Sequence, residues 1–98
     1  MTELCQGPDP HPRKPSFTVP AGATDSHLHL LGPQSQLVAE REYTPPEIPL
    51  DMARHLFAML GIARFVVVQP SIYGFDNRAQ LEAAAAIGLP FRAVVVVP

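Results

Sequence analysis

The sequence has little of several features on which other classes of protein depend. Cys5 is the only cysteine among 98 residues, so an internal disulfide framework is excluded. No apolar run approaches the roughly 20 residues that span a bilayer, and the first residues lack the apolar core of a secretory signal. The formal net charge of −2 gives no basic excess for nucleic acid. We therefore expect a cytoplasmic protein with no nucleic-acid or membrane partner.

Proline, in contrast, is abundant, and it is concentrated near the start of the chain. Residues 1–20 are rich in proline and charge and show no helical or strand periodicity, which predicts a flexible leader. The chain as a whole is 47% apolar, enough for a modest core. We expect that core to lie in residues 21–98.

Apolar patterning beyond the leader predicts strands that alternate with helices. We expect strands near residues 23–31, 63–70 and 91–97, and helices near residues 50–60 and 77–87. The second and third strands are apolar on both faces, as in parallel strands covered by helices. A glycine follows each helix as a stop signal, and Asp76 is placed to N-cap the second helix. The order βαβαβ predicts an α/β fold with one parallel sheet and both helices on one side.

The run Asp25-Ser26-His27-Leu28-His29 lies within the first predicted strand. Side chains two residues apart share a face of a strand, so Asp25, His27 and His29 are expected to point the same way. Neutral imidazole binds divalent metals and forms directional hydrogen bonds, so these histidines predict a site that holds a metal or polarises a carbonyl group directly. The alternative is that they are ordinary core or loop histidines.

Four segments together resemble the amidohydrolase-2 family of metal-dependent hydrolases with a TIM-barrel fold, especially its 2-pyrone-4,6-dicarboxylate lactonase-like branch. They are residues 20–29 (PAGATDSHLH), 43–46 (YTPP), 60–64 (LGIAR) and 68–77 (VQPSIYGFDN). The last segment is the most specific, because propensity and patterning alone do not produce such a run. The resemblance covers the chain from about residue 19 to residue 98.

The resemblance implies roles for four residues. His27 and His29 would be catalytic residues at the C-terminal end of the first barrel strand, which is where TIM-barrel enzymes carry their chemistry. They would also be the ligands of any bound metal. Tyr43 and Ser71 match the substrate-binding tyrosine and serine of the family by motif; without the resemblance they would be interpreted as a loop aromatic and a turn residue. Tyr73 is interpreted as a packing residue.

The resemblance also implies a reaction. The family hydrolyses carboxylated lactones or similar cyclic esters by carbonyl polarisation and attack of water. A divalent metal such as zinc is the expected cofactor, and relatives that work without metal leave the metal requirement open. Isomerisation of a lactone and decarboxylation of an acid are neighbouring activities that the sequence does not separate.

The number of predicted strands limits what the chain can do by itself. A (β/α)₈ barrel takes roughly 250 residues, so we expect residues 21–98 to form a partial TIM-barrel domain, the N-terminal part of a longer enzyme, with no turnover of its own. The rival hypothesis is a non-catalytic protein that self-associates or docks on a partner through exposed strands. A third hypothesis is a stand-alone α/β domain with a metal site at the histidines.

Overall fold

The computed structural model describes residues 4–32 and 36–98. Residues 1–3 of the predicted leader and residues 33–35 of the following loop lie outside this description. The regular elements are β1 (Thr24–Leu28), α1 (Leu50–Leu60), β2 (Arg64–Val68), a 3₁₀ turn (Ser71–Tyr73), α2 (Arg78–Ile87) and β3 (Phe91–Val94). The strands form one parallel sheet in the order β1-β2-β3. The predicted α/β class and the parallel pairing are confirmed.

The two helices follow the predicted pattern, with one correction at the start of α2. α1 has the expected bounds and ends at Gly61, whose φ of 78° is the left-handed conformation that glycine adopts without strain. The N-cap position of α2 is Asn77, not Asp76. Asp76 Oδ1 accepts the backbone N–H of Arg78 at 3.1 Å, because the short carboxylate bonds two residues ahead and reaches only the first helical N–H.

All three strands are shorter than predicted. β2 covers only Arg64–Val68, and side-chain amides bind the backbone just beyond the ends of β1 and β3. β1 ends at Leu28, and the Gln80 amide binds the backbone of Leu30 just beyond it. β3 ends at Val94, and Val96 pairs with the Asn77 amide, with bonds of 2.9 and 3.1 Å. In each case a side chain takes the backbone groups that a neighbouring strand would have paired.

Both helices pack on the same face of the sheet, as predicted. Phe65 and Val67 of β2 are each 1% exposed, and they lie in one apolar cluster with Phe57 of α1 and Ile87 of α2. The Phe65 ring stands between two others, with centroid distances of 5.4 Å to Phe57 and 5.5 Å to Phe91. Aromatic pairs at such distances add to the stabilisation from buried area.

The described part of the predicted leader lies against the long loop between β1 and α1. Leu4 forms an isolated parallel bridge with Thr44, and the Cys5 N–H donates to the Thr44 carbonyl at 2.7 Å. A Cβ atom on Gly7 would come within 3.2 Å of Pro46, so leader and loop are closely packed there. The division of the chain at residue 20 stays a prediction.

Within the described ranges, neither helix is long and apolar enough to cross a membrane.

Candidate functional site

His27 and His29, called the histidine pair below, lie at the end of β1, His27 within its irregular part and His29 directly after its last residue, Leu28. Asp25 pairs with Phe65 of β2. Leu28 lies three residues further along β1, but its partner, Val67, lies only two residues further along β2. Paired residues share a face, so this register assigns Asp25 and Leu28 to the helix-covered face and the histidine pair to the other. The expectation that Asp25 shares the face of the histidines is therefore wrong, because the extra residue on β1 interrupts the alternation.

The two imidazoles of the histidine pair meet edge to face. Their ring centroids are 5.2 Å apart and the ring planes make an angle of 81°. The convergence that the sequence predicts is therefore present. Both residues are exposed, so the pair lies at the surface of the protein.

One nitrogen of His29 is held by the neighbouring strand. Its Nδ1 lies 2.7 Å from the carbonyl oxygen of Val68, the last residue of β2. A carbonyl oxygen only accepts hydrogen bonds, so Nδ1 carries the proton. In the neutral ring Nε2 then presents its lone pair, the state that binds a metal or accepts a proton. A single backbone contact thus fixes both the position and the tautomer of His29.

A cavity of about 630 Å³ opens beside the histidine pair. Its size lies in the range of small-molecule sites. Asp25, Leu28, Leu30 and Leu31 also line it. The other lining residues come from the start of α1 and the two positions before it, and from the leader residues Pro8, Asp9, Pro10 and Pro12. The leader therefore contributes to the surroundings of the histidines, a contribution that composition alone did not predict.

Ser71 begins the 3₁₀ turn that follows β2 and is exposed. It lies three residues after Val68, so the turn leaves the same end of the sheet as the carbonyl that holds His29. Gln69 stabilises this turn. Its side-chain amide donates hydrogen bonds to the carbonyls of Gly74 and Asp76, each at 3.0 Å. Ser71 is therefore presented on a turn whose two ends are tied together.

Tyr43, in the loop after β1, lies beside the turn that carries Ser71, and neither Tyr43 nor Ser71 lines the cavity beside the histidine pair. Tyr43 is half-buried and packs against the cluster of Ile72, Tyr73 and Ala79. Burial raises the pKa of the Tyr43 phenol, and the neighbouring Cys5 raises it further. The structure thus joins Tyr43 to the turn that carries Ser71, and joins His29 to the strand that leads into that turn.

Tyr73 has the packing role that the sequence suggested. It is 1% exposed, and its hydroxyl accepts the N–H of Gly32 at 2.9 Å. Burial raises the pKa of the Tyr73 phenol, and the Gly32 hydrogen bond partly offsets that rise. Tyr73 therefore ties the turn after β2 to the segment after β1.

Gln80 is a contributor to the site that the sequence patterns did not single out. It is 2% exposed and binds both backbone groups of Leu30, the residue after His29. A signal for it does exist in the sequence. Gln80, Ala84 and Ile87 follow i, i+4, i+7 spacing, so a polar residue occupies an otherwise apolar stripe of α2.

The histidine pair does not by itself make up a metal site. In residues 4–32 and 36–98 no group of three or more His, Cys, Asp or Glu side chains is placed to hold a metal ion. A catalytic zinc normally has three protein ligands and a water. His29 fits such an ion as one ligand, because its Nε2 lone pair is left for coordination, and the adjacent His27 imidazole is of the same ligand type.

Known proteins that resemble the chain are lactone hydrolases. The chain is 42% identical over 89 residues to a 2-pyrone-4,6-dicarboxylate hydrolase of Comamonas testosteroni, an alignment that covers 89% of this chain and 29% of that protein. It is also 42% identical over 81 residues to a 4-sulfomuconolactone hydrolase of Rhizobium radiobacter, covering 81% of this chain and 27% of that protein. The chain thus spans less than a third of the length of these relatives. No protein-family profile matches it.

A solved structure shows the same fold. A probable 2-pyrone-4,6-dicarboxylic acid hydrolase of Acinetobacter baumannii, with citric acid bound, superposes with a TM-score of 0.70 at 24% identity. The superposition covers 79% of this chain and 29% of that one. Over the aligned region, the chain is therefore similar in sequence to lactone hydrolases and in fold to a 2-pyrone-4,6-dicarboxylic acid hydrolase, as the resemblance to the lactonase-like branch predicts.

Proposed function

We propose that this chain supplies the histidine pair and two substrate-contacting side chains of an enzyme that hydrolyses carboxylated lactones. The observation that carries the proposal is the hydrogen bond of His29 to Val68, which fixes an imidazole at the C-terminal end of two parallel strands. Active sites of barrel enzymes lie at that end. The names of the relatives from Comamonas and Rhizobium supply the substrate class.

In the proposed reaction, water adds to the lactone carbonyl carbon and the ring C–O bond breaks. The product is an open-chain carboxylic acid. The former ring oxygen stays on its other carbon as a hydroxyl or enol group. Neutral His29 accepts at Nε2 and does not donate there. A direct hydrogen bond to the substrate carbonyl therefore comes from His27 or from His29 in its cationic form, and neutral His29 is suited to take a proton from water.

Tyr43 and Ser71 would orient the substrate in this proposal. Their hydroxyl groups donate hydrogen bonds, and carboxylates accept them strongly. A tyrosine phenol, with an ordinary pKa of about 10, is protonated at neutral pH and can donate, and burial of Tyr43 shifts its pKa further in that direction. A donor on each of two packed loops would fix a substrate that carries more than one carboxylate.

A divalent ion such as zinc, where the enzyme uses one, would be held by His27 and by Nε2 of His29. Such an ion polarises a carbonyl group as a Lewis acid. The pair supplies two of the usual three protein ligands, so the remaining ligand would come from outside the described residues. The His29–Val68 hydrogen bond would then orient a metal ligand, which is a common role of such contacts.

Titration of the chain with 2-pyrone-4,6-dicarboxylate, followed by NMR, tests the proposal without requiring turnover. We expect the largest shift changes at the imidazoles of His27 and His29 and at the backbone amide of Ser71. The His27→Ala and His29→Ala variants should lose the effect, and His11→Ala, an exposed leader histidine, serves as the matched control. Shift changes confined to other parts of the chain would contradict the proposed site.

The exposed valines of β3 and its extension favour a second candidate function, self-association. Val94, Val95, Val96 and Val97 are 53, 45, 37 and 70% exposed, and exposed apolar strand ends are templates for pairing with another chain. Sedimentation analysis over a range of concentrations should show dimers of the chain, and Val95→Lys should abolish them. A monomer at every concentration would rule out this function.

A further inference from the structure

Gln80 makes contacts that a single residue of a neighbouring strand would otherwise make. Its Oε1 accepts the Leu30 N–H at 3.0 Å, and its Nε2 donates to the Leu30 carbonyl. The amide thus reproduces, from α2, the two-bond pattern of a peptide group. Leu30 is 5% exposed, so both of its backbone groups need a protein partner.

The position of Leu30 gives these two bonds a consequence for the site. Leu30 lies two residues beyond Leu28, where β1 ends, so the sheet ladder does not hold it. His29 stands between the end of the ladder and this anchored residue. Its backbone is therefore fixed on both sides, and its ring reaches Val68 from that fixed position.

Burial of an amide in α2 is costly unless its hydrogen bonds are made. The other members of its stripe, Ala84 and Ile87, are buried apolar residues, and an apolar residue at position 80 would bury more apolar surface. Such a residue would leave the Leu30 N–H and carbonyl buried without partners. The main contribution of the Gln80 amide is therefore to bind the backbone of Leu30, next to His29, and not to pack α2.

We propose that Gln80 is a positioning residue for His29. Acting through the backbone of Leu30, it holds the imidazole where Nδ1 donates to Val68 and Nε2 keeps its lone pair. The functional meaning of this role rests on the proposed function, which places His29 in the site. The physical coupling between Gln80 and the His29 ring can be measured without substrate or metal.

The test compares Gln80→Met, which keeps the length of the side chain but removes both hydrogen bonds, with Ile87→Val, a change in the same buried stripe of α2. Two quantities are measured for each variant: the thermal unfolding midpoint, and the Nδ1–H to Nε2–H ratio of neutral His29 from imidazole ¹⁵N shifts. Gln80→Met should lower that ratio by about five- to tenfold, as expected for loss of one hydrogen bond. Ile87→Val should lower the midpoint and leave the ratio unchanged.

Gln80→Glu keeps the proposal testable if the methionine variant fails to fold. An ionised glutamate still accepts the Leu30 N–H but cannot donate to the carbonyl, so the tautomer ratio should fall by a smaller factor. An unchanged ratio in a folded Gln80 variant would overturn the proposal and leave Gln80 as a packing residue. Failure of the proposed function would be seen separately, because wild-type chain would then show no response to 2-pyrone-4,6-dicarboxylate while the ratio still depended on Gln80.

Discussion

The Nδ1 atom of His29 lies 2.7 Å from the carbonyl oxygen of Val68, which joins the C-terminal ends of β1 and β2 through a side chain. His29→Ala should therefore lower the free energy of unfolding by about 0.5–1 kcal/mol, the value of a partly exposed hydrogen bond. His27→Ala is the matched control and should cost less. Urea denaturation measures both changes. Equal losses in the two variants would show that the bond to Val68 contributes nothing.

Asp76 should make stability depend on acid pH. The Arg78 guanidinium, and then the Arg78 backbone N–H, bind the carboxylate and lower its pKa from 3.8 to about 2. Because the folded-state pKa is below the unfolded value, the contribution of this carboxylate is fully present above pH 3.8 and is lost as the pH falls through about 2. An NMR titration of Asp76 measures the pKa. Arg78→Gln should return it toward 3.8, and an unchanged value would refute the assignment.

Phe65 should be the most sensitive of the aromatic residues to truncation. It is 1% exposed between the rings of Phe57 and Phe91, so Phe65→Ala should lower the free energy of unfolding by about 3–5 kcal/mol. Phe75, 63% exposed, is the control, and Phe75→Ala should stay within about 0.5 kcal/mol of wild type. Comparable losses measured by denaturation would mean that the core is not where the structure places it.

Tyr73→Phe should uncouple the segment after β1 from the turn after β2. The change removes the acceptor of the Gly32 N–H and should cost about 0.5–1.5 kcal/mol. It should also speed amide hydrogen exchange at Gly32. Tyr43→Phe removes a hydroxyl from the same cluster and should leave the exchange rate of Gly32 unchanged. Similar rates in both variants would contradict the assigned contact.

Local sequence patterns were enough to predict the framework of the fold. The apolar stripe and following glycine predicted α1 with its observed bounds, and the two-sided apolar strands predicted a parallel sheet. These signals lie within a few residues of the elements that they define. The convergence of His27 and His29 was likewise predictable, because both lie on one short segment and flank the same residue.

The features that were not predicted depend on partners far apart in the sequence. Gln80 binds Leu30 across 50 positions, and Asn77 binds Val96 across 19, so no local pattern shows where β1 and β3 stop. The extra residue in β1 depends in the same way on its register with β2, and it removes Asp25 from the face of the histidines. The sequence pattern predicted Asp76 as the N-cap of α2. Its carboxylate instead accepts the N–H of Arg78, and the N-cap position is Asn77.

The central claim is that the histidine pair serves lactone hydrolysis, and it is tested most directly in a chimera. This chain would replace its aligned segment in the 2-pyrone-4,6-dicarboxylate hydrolase of Comamonas testosteroni, and ring opening would be measured as kcat and KM. We predict an active chimera in which His27→Ala and His29→Ala each lower kcat by about 10²–10⁴-fold, while His11→Ala leaves it unchanged. An active chimera that keeps its kcat without either imidazole would contradict the claim.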